Sequence, residues 1–320
     1  MNTNLIGLDI GGTKCAVIYG VTDGESLQII DKENFPTTDV NTTIQYLLNT
    51  TSILMEQYSL NSENTKAIGI SCGGPLDSKK GLVMSPPNLK DWNNIPIVRI
   101  VSEQFNIPTA IQNDANACAL AEWKYGAGKG ARNMIFMTYG TGLGAGFILN
   151  GQLYSGANDN AGEVGHIRLS DFGPVGYGKS GSFEGFCSGG GIAQLAWNLV
   201  YERLQMGQTV SWYEAGHPVT AKMVAEAALK GDELALEIFR TSSVFLGKGL
   251  SLLIDILNPE LIVLGGIYMR NEALIKPAIT EVIQKESLRY AAEVCEIKPA
   301  ALGENVGDYA ALSVAMNMLS

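Results

Sequence analysis

Asp9 closes an apolar run, Leu5–Ile10, and Gly11-Gly12-Thr13-Lys14 follows it at once. A carboxylate at a strand end can hold a hydrated Mg²⁺, and a lysine with the N–H groups of a glycine turn can offset phosphate charge. The same grammar returns downstream. Met134 to Tyr139 runs apolar, Gly140-Thr141-Gly142-Leu143-Gly144 turns, and Ala145 to Leu149 runs apolar again. Two strand–glycine turn–strand copies predict a duplicated fold gripping one phosphate-bearing ligand between its halves. Neither copy has the Gly-x-x-x-x-Gly-Lys-Ser/Thr spacing of a P-loop. A strand rather than a helix follows Gly144, which disfavours a dinucleotide-binding turn. A third glycine pair, Gly265-Gly266, follows a buried strand. It allows either close backbone approach to a base or ribose, or tight strand–helix packing.

Two further clusters carry polar chemistry. In Ile111-Gln112-Asn113-Asp114-Ala115-Asn116-Ala117, Asp114 closes a strand just before a helix. It reads equally as an N-cap and as a carboxylate placed to take a proton from a hydroxyl; the two are compatible. In Gly162-Glu163-Val164-Gly165-His166, followed by Glu184, carboxylates and an imidazole inside a glycine-rich loop suit a polyhydroxyl ligand, or else hydrogen bonds that hold the loop. His217, the other of the chain's 2 histidines, falls in an inter-helix loop.

These residues need a scaffold, and strands alternate with helices almost throughout. Strands are predicted at 5–10, 15–19, 27–35, 67–71, 108–112, 134–138, 145–149, 261–264 and near 294–298. Helices are predicted at about 44–58 (capped by Asp39 or Asn41), 97–105, 115–125, 191–206, 220–230, 232–257, 271–286 and 308–318. Asn150-Gly151 signals a hairpin. Residues 155–191 are rich in glycine and show no period; a loop of that length is more often functional than idle. The boundary between halves is expected in 113–132. One domain then holds residues 1–117 with about 305–320 returning, and a larger one holds 118–304.

The chain has 320 residues, room for two domains. It is 46% hydrophobic with a net charge of −10, an ordinary packed composition that argues against broad nucleic-acid or anionic-membrane binding. The 5 cysteines form no Cys-x-x-Cys pair and read as buried free thiols of a reducing compartment. With no basic, apolar leader and no long apolar run, the expectation is a cytoplasmic protein.

Taken together, Asp9-Ile10-Gly11-Gly12-Thr13-Lys14, Asn113-Asp114-Ala115-Asn116-Ala117, Gly140-Thr141-Gly142-x-Gly144, Glu163-Val164-Gly165-His166 and Leu257-Asn258-Pro259-Glu260 leading into Gly266 resemble, in order and spacing, the ROK family of bacterial sugar kinases and repressors. The resemblance implies an α/β, duplicated actin-like (ribonuclease H-like) two-domain fold with an inter-domain cleft. It implies ATP and Mg²⁺, with Asp9, Gly11, Gly12, Thr13 and Lys14 on one phosphate turn, and Gly140, Thr141, Gly142 and Gly144 on the other. Asp9 would hold Mg²⁺ through water, and Gly265 and Gly266 would lie on the adenosine side. Asp114 becomes the general base. Gly74, Asn88, Asn113, Asp114, Glu163, His166 and Glu184 line the sugar. Pro86-Pro87-Asn88-Leu89-Lys90-Asp91-Trp92 is similar to ROK glucokinases and points to glucose at its 6-hydroxyl. N-acetylmannosamine, allose, fructose or a β-glucoside are the alternatives, and a non-catalytic sugar sensor is the rival class. A homodimer follows by the same analogy, with a sugar and a nucleotide as the only small-molecule partners. The first phosphate strand starts at Leu5, so the expectation favours a kinase over a repressor.

One departure stands out. Where the family carries three cysteines that join the histidine around zinc, this chain has Val175, Tyr177 and Ser182. Valine offers no donor and zinc wants four. Structural zinc is predicted absent, with Phe183, Phe186 and Tyr177 expected to order the loop by packing.

Overall fold

The computed structural model describes residues 2–319. Its elements run β1 (Thr3–Ile10), β2 (Lys14–Thr22), β3 (Leu27–Pro36), α1 (Val40–Gln57), β4 (Thr65–Cys72), β5 (Leu76–Asp77), β6 (Leu82–Val83), α2 (Ile97–Phe105), β7 (Thr109–Asn113) and α3 (Asp114–Tyr125). They continue with β8 (Met134–Tyr139), β9 (Leu143–Leu149), β10 (Gln152–Tyr154), β11 (Val175–Gly176), β12 (Lys179–Ser180), α4 (Phe183–Cys187), α5 (Gly189–Gln205), α6 (Ala221–Leu229) and α7 (Glu233–Leu257). The chain closes with β13 (Leu261–Leu264), α8 (Ile267–Glu286), α9 (Arg289–Val294), β14 (Glu296–Pro299) and α10 (Val306–Asn317).

The duplication is visible in the sheets. One runs β3-β2-β1-β4-β7 and the other β10-β9-β8-β13-β14. Numbered within its own half, each has its strands in the order third, second, first, fourth, fifth. In the first sheet β1 pairs antiparallel with β2 and parallel with β4, and β4 pairs parallel with β7. In the second, β13 lies parallel to both β8 and β14. This mixed α/β architecture is the one the sequence predicts.

The chain forms two compact units. The first comprises the chain up to Arg132, Gly146–Gly162 and the chain from Ala301; the second comprises Asn133–Ala145 and Glu163–Ala300. Residues 118–132, expected beyond the domain boundary, group with the first unit, and Glu122 shows why. Its side chain is fully buried on α3. It accepts from the N–H groups of Ala127 at 2.8 Å, Ala301 at 3.1 Å and Leu302 at 2.8 Å. A carboxylate taken out of water needs such partners, and here they bind α3 to the returning chain that becomes α10.

Alternation places the first unit's core on both faces of its sheet. Ile6, Leu8 and Ile10 of β1 face Leu47 and Leu54 of α1 and Ile97 and Val101 of α2. Leu5 of β1 and Ala16 and Ile18 of β2 face Ala311, Leu312 and Ala315 of α10. The close approach of α10 depends on glycine. A Cβ on Gly69 would lie 2.1 Å from the Ala311 carbonyl oxygen and 2.3 Å from the Ala315 nitrogen. In the second unit β8 and β13 are apolar at nearly every position and buried on both faces, as parallel strands covered by helices must be.

Three local differences from the sequence reading have physical causes. Asp39, not Asn41, caps α1, accepting from the Thr42 N–H. α8 starts at Ile267 rather than near 271 and kinks at Asn271, whose side chain donates back to the Ile267 carbonyl at 2.9 Å. Cys295 is half-buried, while the other cysteines are buried. No helix among the described residues is long and apolar enough to cross a membrane.

Replacing Glu122 by alanine should lower the unfolding free energy by about 1–3 kcal/mol, because three part-buried hydrogen bonds are lost and a cavity is left where a fully buried side chain stood. Chemical denaturation of Glu122→Ala beside Glu122→Gln checks this, with the glutamine variant retaining an oxygen acceptor and falling between.

Candidate active site

Parallel pairing gathers the first unit's candidate residues. The registers Ile10↔Cys72 and Cys72↔Asn113 bring the carboxyl ends of β1, β4 and β7 level. Asp9, Gly73-Gly74 and Asn113-Asp114 therefore emerge along one sheet edge, where open α/β sheets bind ligands. A Cβ on Gly74 would sit 3.1 Å from the Asn113 amide nitrogen. Asn113 rather than Asp114 is the N-cap of α3, accepting from the Ala115 N–H at 2.9 Å. Asp114 is the first residue of the helix, with Oδ1 2.8 Å from that same N–H. Its side chain keeps an open face but is ringed by protein, and the resulting desolvation raises its carboxyl above the usual range. Asp9 is half-buried and pushed up to about 6, first by burial and then by the charges of Asp114 and Asp308. Lys32, paired with Asp308 on α10, and Lys14 act in the opposite direction on Asp9.

The first glycine turn is tied down from behind. The Gly11 N–H donates to the Lys14 carbonyl at 3.1 Å. The Thr37 hydroxyl donates to the Gly11 carbonyl at 2.6 Å, and the Thr37 N–H donates to the Thr13 carbonyl at 3.0 Å. A Cβ on Gly12 would lie 2.6 Å from both Cβ and the carbonyl oxygen of Asn88. The first glycine turn and Asn88 therefore touch, and Gly12, Thr13, Lys14 and Asn88 remain exposed.

The second unit gathers its own set. The Gly140 N–H donates to the Gly142 carbonyl at 3.1 Å, closing the second turn. Around Gly140 nothing would meet an added Cβ, so backbone is open to a ligand there. Glu184 Oε2 accepts from the Leu143 N–H at 3.0 Å, which binds this carboxylate to the second glycine turn. Gly165 presses on Leu143 too: its Cβ would sit 2.2 Å from the Leu143 carbonyl. That contact anchors the short 3-10 turn Val164–His166, with Glu163 and His166 exposed beside it. Thr141 is exposed at the turn, and the Gly144 N–H donates to the Thr138 hydroxyl at 2.9 Å. Gly266 adopts φ +53°, and a Cβ there would lie 2.1 Å from the Tyr139 carbonyl; the Gly265 N–H donates to the Met137 carbonyl. Gly266 thus allows tight packing, whereas a Cβ on Gly265 would make only ordinary contacts, the nearest at 3.4 Å.

Sequence reading missed Ser188-Gly189-Gly190-Gly191. Ser188 caps α5, accepting from the Gly191 N–H, and the Gly189 N–H donates to the Gly140 carbonyl at 2.7 Å. A capping serine followed by small residues is the signal that was available. It places the first turn of a helix against the second glycine turn, an arrangement suited to anions.

The loop that would bind zinc does not fit that metal. Val175 has no donor atom, Ser182 Oγ caps α4 by accepting from the Gly185 N–H, and Tyr177 is largely exposed with its ring edge toward His166. Among the described residues no group of three or more His, Cys, Asp or Glu side chains is placed to hold a metal. Phe183 and Phe186 are buried as expected, Phe183 against Gly249 and Phe186 stacked on Phe245. Tyr177 does not join that packing, because its backbone, at φ +44°, turns outward with the hairpin.

Comparison with known proteins agrees with this geometry. The ROK family profile matches residues 5–317. The chain belongs to the ROK family. It is 33% identical over 308 residues to a glucokinase of Halalkalibacterium halodurans, covering 94% of this chain and 92% of that one. It is 29% identical to a xylose repressor of Caldicellulosiruptor bescii, over 89% of this chain and 71% of the repressor. A ROK family glucokinase from Streptomyces griseus, solved with glucose and AMPPNP, superposes with a TM-score of 0.76 at 28% identity, covering 98% of this chain and 99% of that one. The likenesses to glucokinases support a sugar kinase, and the fold is the actin-like two-domain one.

Asp9→Asn removes the carboxylate whose ionised form burial and the charges of Asp114 and Asp308 disfavour. A folded-state pKa above the unfolded value means the native state holds extra protons below about pH 6, so ionised Asp9 costs stability at neutral pH. The variant should unfold at a higher temperature than the parent at pH 7.5, lose that advantage at pH 4, and turn over far more slowly. Thermal melts at the two pH values, with one activity assay, check it.

Proposed function

We propose that this protein transfers the γ-phosphoryl group of ATP to a hexose, with glucose at its 6-hydroxyl as the acceptor. The observation that carries the reading is the level edge of β1, β4 and β7, along which Asp9 and, on the far side of β4, Asn113 and Asp114 emerge together. Its likeness to glucokinases supports the choice of sugar.

In this reading Asp114 draws the proton from the attacking hydroxyl as the O–P bond forms. Its raised carboxyl pKa suits a base that must release the proton again. Asn113, Asn88 and Gly74 orient the sugar, and Glu163, His166 and Glu184 take its remaining hydroxyls. The N–H groups of Gly12 and Thr13, and of Thr141 and Gly142, cradle phosphate, with Lys14 adding charge, while those of Gly11, Gly140, Leu143 and Gly144 hold the two turns in shape. Asp9 would hold Mg²⁺ through water, and the ion would supply charge neutralisation on the phosphates. Phosphoryl transfer needs positioning and electrostatics more than covalent help, and nothing here requires a covalent intermediate.

The test is a coupled ATPase–kinase assay over glucose, mannose, N-acetylmannosamine, allose, fructose and a β-glucoside. Glucose should give the highest kcat/KM. Asp114→Asn should lower kcat by about 10²–10⁴-fold, the usual worth of a general base, and leave glucose binding by calorimetry within a few-fold. A protein that binds glucose and phosphorylates nothing is a sugar sensor, and the proposal then fails.

A further inference from the structure

The segment from Glu163 to Glu184 carries three of the proposed sugar ligands, and a small set of side chains ties its main chain together. The Val175 N–H donates to Gln194 Oε1 at 2.9 Å, and Gln194 Nε2 donates to the Val175 carbonyl at 2.8 Å. One amide on α5 thus satisfies both main-chain groups of one residue, as a neighbouring strand would. Val175 opens the β11–β12 hairpin, which returns to Ser182. Ser182 is fully buried, and its hydroxyl accepts from the Gly185 N–H at 3.0 Å and donates to the Gly176 carbonyl at 3.4 Å. Lys179 Nζ donates to the His166 carbonyl at 2.7 Å, and Arg168 donates to the Ser180 carbonyl at 2.8 Å. The Phe183 N–H donates to the Ile167 carbonyl at 2.8 Å, so α4 starts against the far end of the same segment.

Two of these residues, Val175 and Ser182, stand where the family's cysteines are expected. At the first the main chain is clasped by an amide, and at the second a hydroxyl replaces the thiol as a helix cap. We infer that Gln194 is the positioning residue that substitutes for a metal crosslink in this segment, holding the hairpin so that Glu184 and His166 are presented to the sugar. The inference rests on the proposed sugar site for its kinetic consequence, but its structural content stands without it. The path is short. Gln194 fixes Val175, the hairpin fixes Ser182, Ser182 caps α4, and Glu184 lies in the first turn of α4.

Gln194→Met keeps the side chain's length and removes both hydrogen bonds; Gln194→Glu keeps the acceptor for the Val175 N–H and loses the donor. Hydrogen exchange on the ligand-free, full-length protein should show amides of residues 173–184 exchanging about tenfold faster in Gln194→Met, the effect of losing one to two net hydrogen bonds. Gln194→Glu should lie between, and amides elsewhere should not move, which separates loosening from misfolding. The KM for glucose should rise by a similar factor with kcat and the KM for ATP within about twofold. Dialysis against EDTA should alter none of these exchange rates. Wild-type exchange in Gln194→Met overturns the inference, as does EDTA producing the loosening that the mutation does not. If no sugar is phosphorylated by the parent protein, the proposed function falls, and the exchange result still decides this inference.

Discussion

Carboxylates resist being crowded, and the first unit crowds three of them. Asp9, Asp114 and Asp308 sit close enough at one sheet edge that two of them raise the pKa of the third, on top of the penalty of burial. Two lysines offset only part of this, one of them paired with Asp308. A protein does not hold such an arrangement for stability. Protonation can relieve it, and so can a cation; the function proposed uses the cation and keeps Asp114 free to accept a proton. The close packing of α10 on the sheet keeps those strand ends where they are.

The positioning is a matter of packing distance. β1 and β4 each give up a side chain facing α10, at Gly7 and Gly69, and β2 does so at Gly20. Ala311 fills the space over Gly7 and Leu312 that over Gly20, and at Gly69 the helix backbone itself lies almost on the sheet. α10 carries Asp308 at its first turn, and a Cβ added to Gly307 would lie 3.8 Å from Asp9 Oδ2. Larger residues at these glycines would lift the helix and change the field at Asp9 without touching the site. The second unit uses the same device on a smaller scale: Gly165 lets the Glu163–His166 turn rest on Leu143, and Glu184 reaches back to the same residue.

Much of this was legible in the residues. Long periodic segments such as α1 and α7 and the buried runs of β8 and β13 came out close to their observed bounds, because their apolar spacing is fixed by the faces they bury. Asp9, Asn113 and Asp114 were visible as polar residues at strand ends. Elements without a period were not. β5, β6, β11, β12 and α4 are two to five residues long, too short for any repeat to show. The role of Glu122 was hidden as well, since its partners Ala301 and Leu302 lie far along the chain. Gln194 looked like an ordinary polar residue on a helix because its work is done on another segment's main chain. The start of α8 misled for a physical reason: Asn271 does break the helix, but a turn of helix already precedes it.

The account stands on Asp114 facing a sugar hydroxyl. A crystal structure of the protein with glucose and a non-hydrolysable ATP analogue measures this directly. It should show an Asp114 carboxylate oxygen within hydrogen-bonding reach of the glucose 6-hydroxyl, about 2.6–3.2 Å. Glucose bound elsewhere, or bound with its 6-hydroxyl turned away from Asp114, would contradict it.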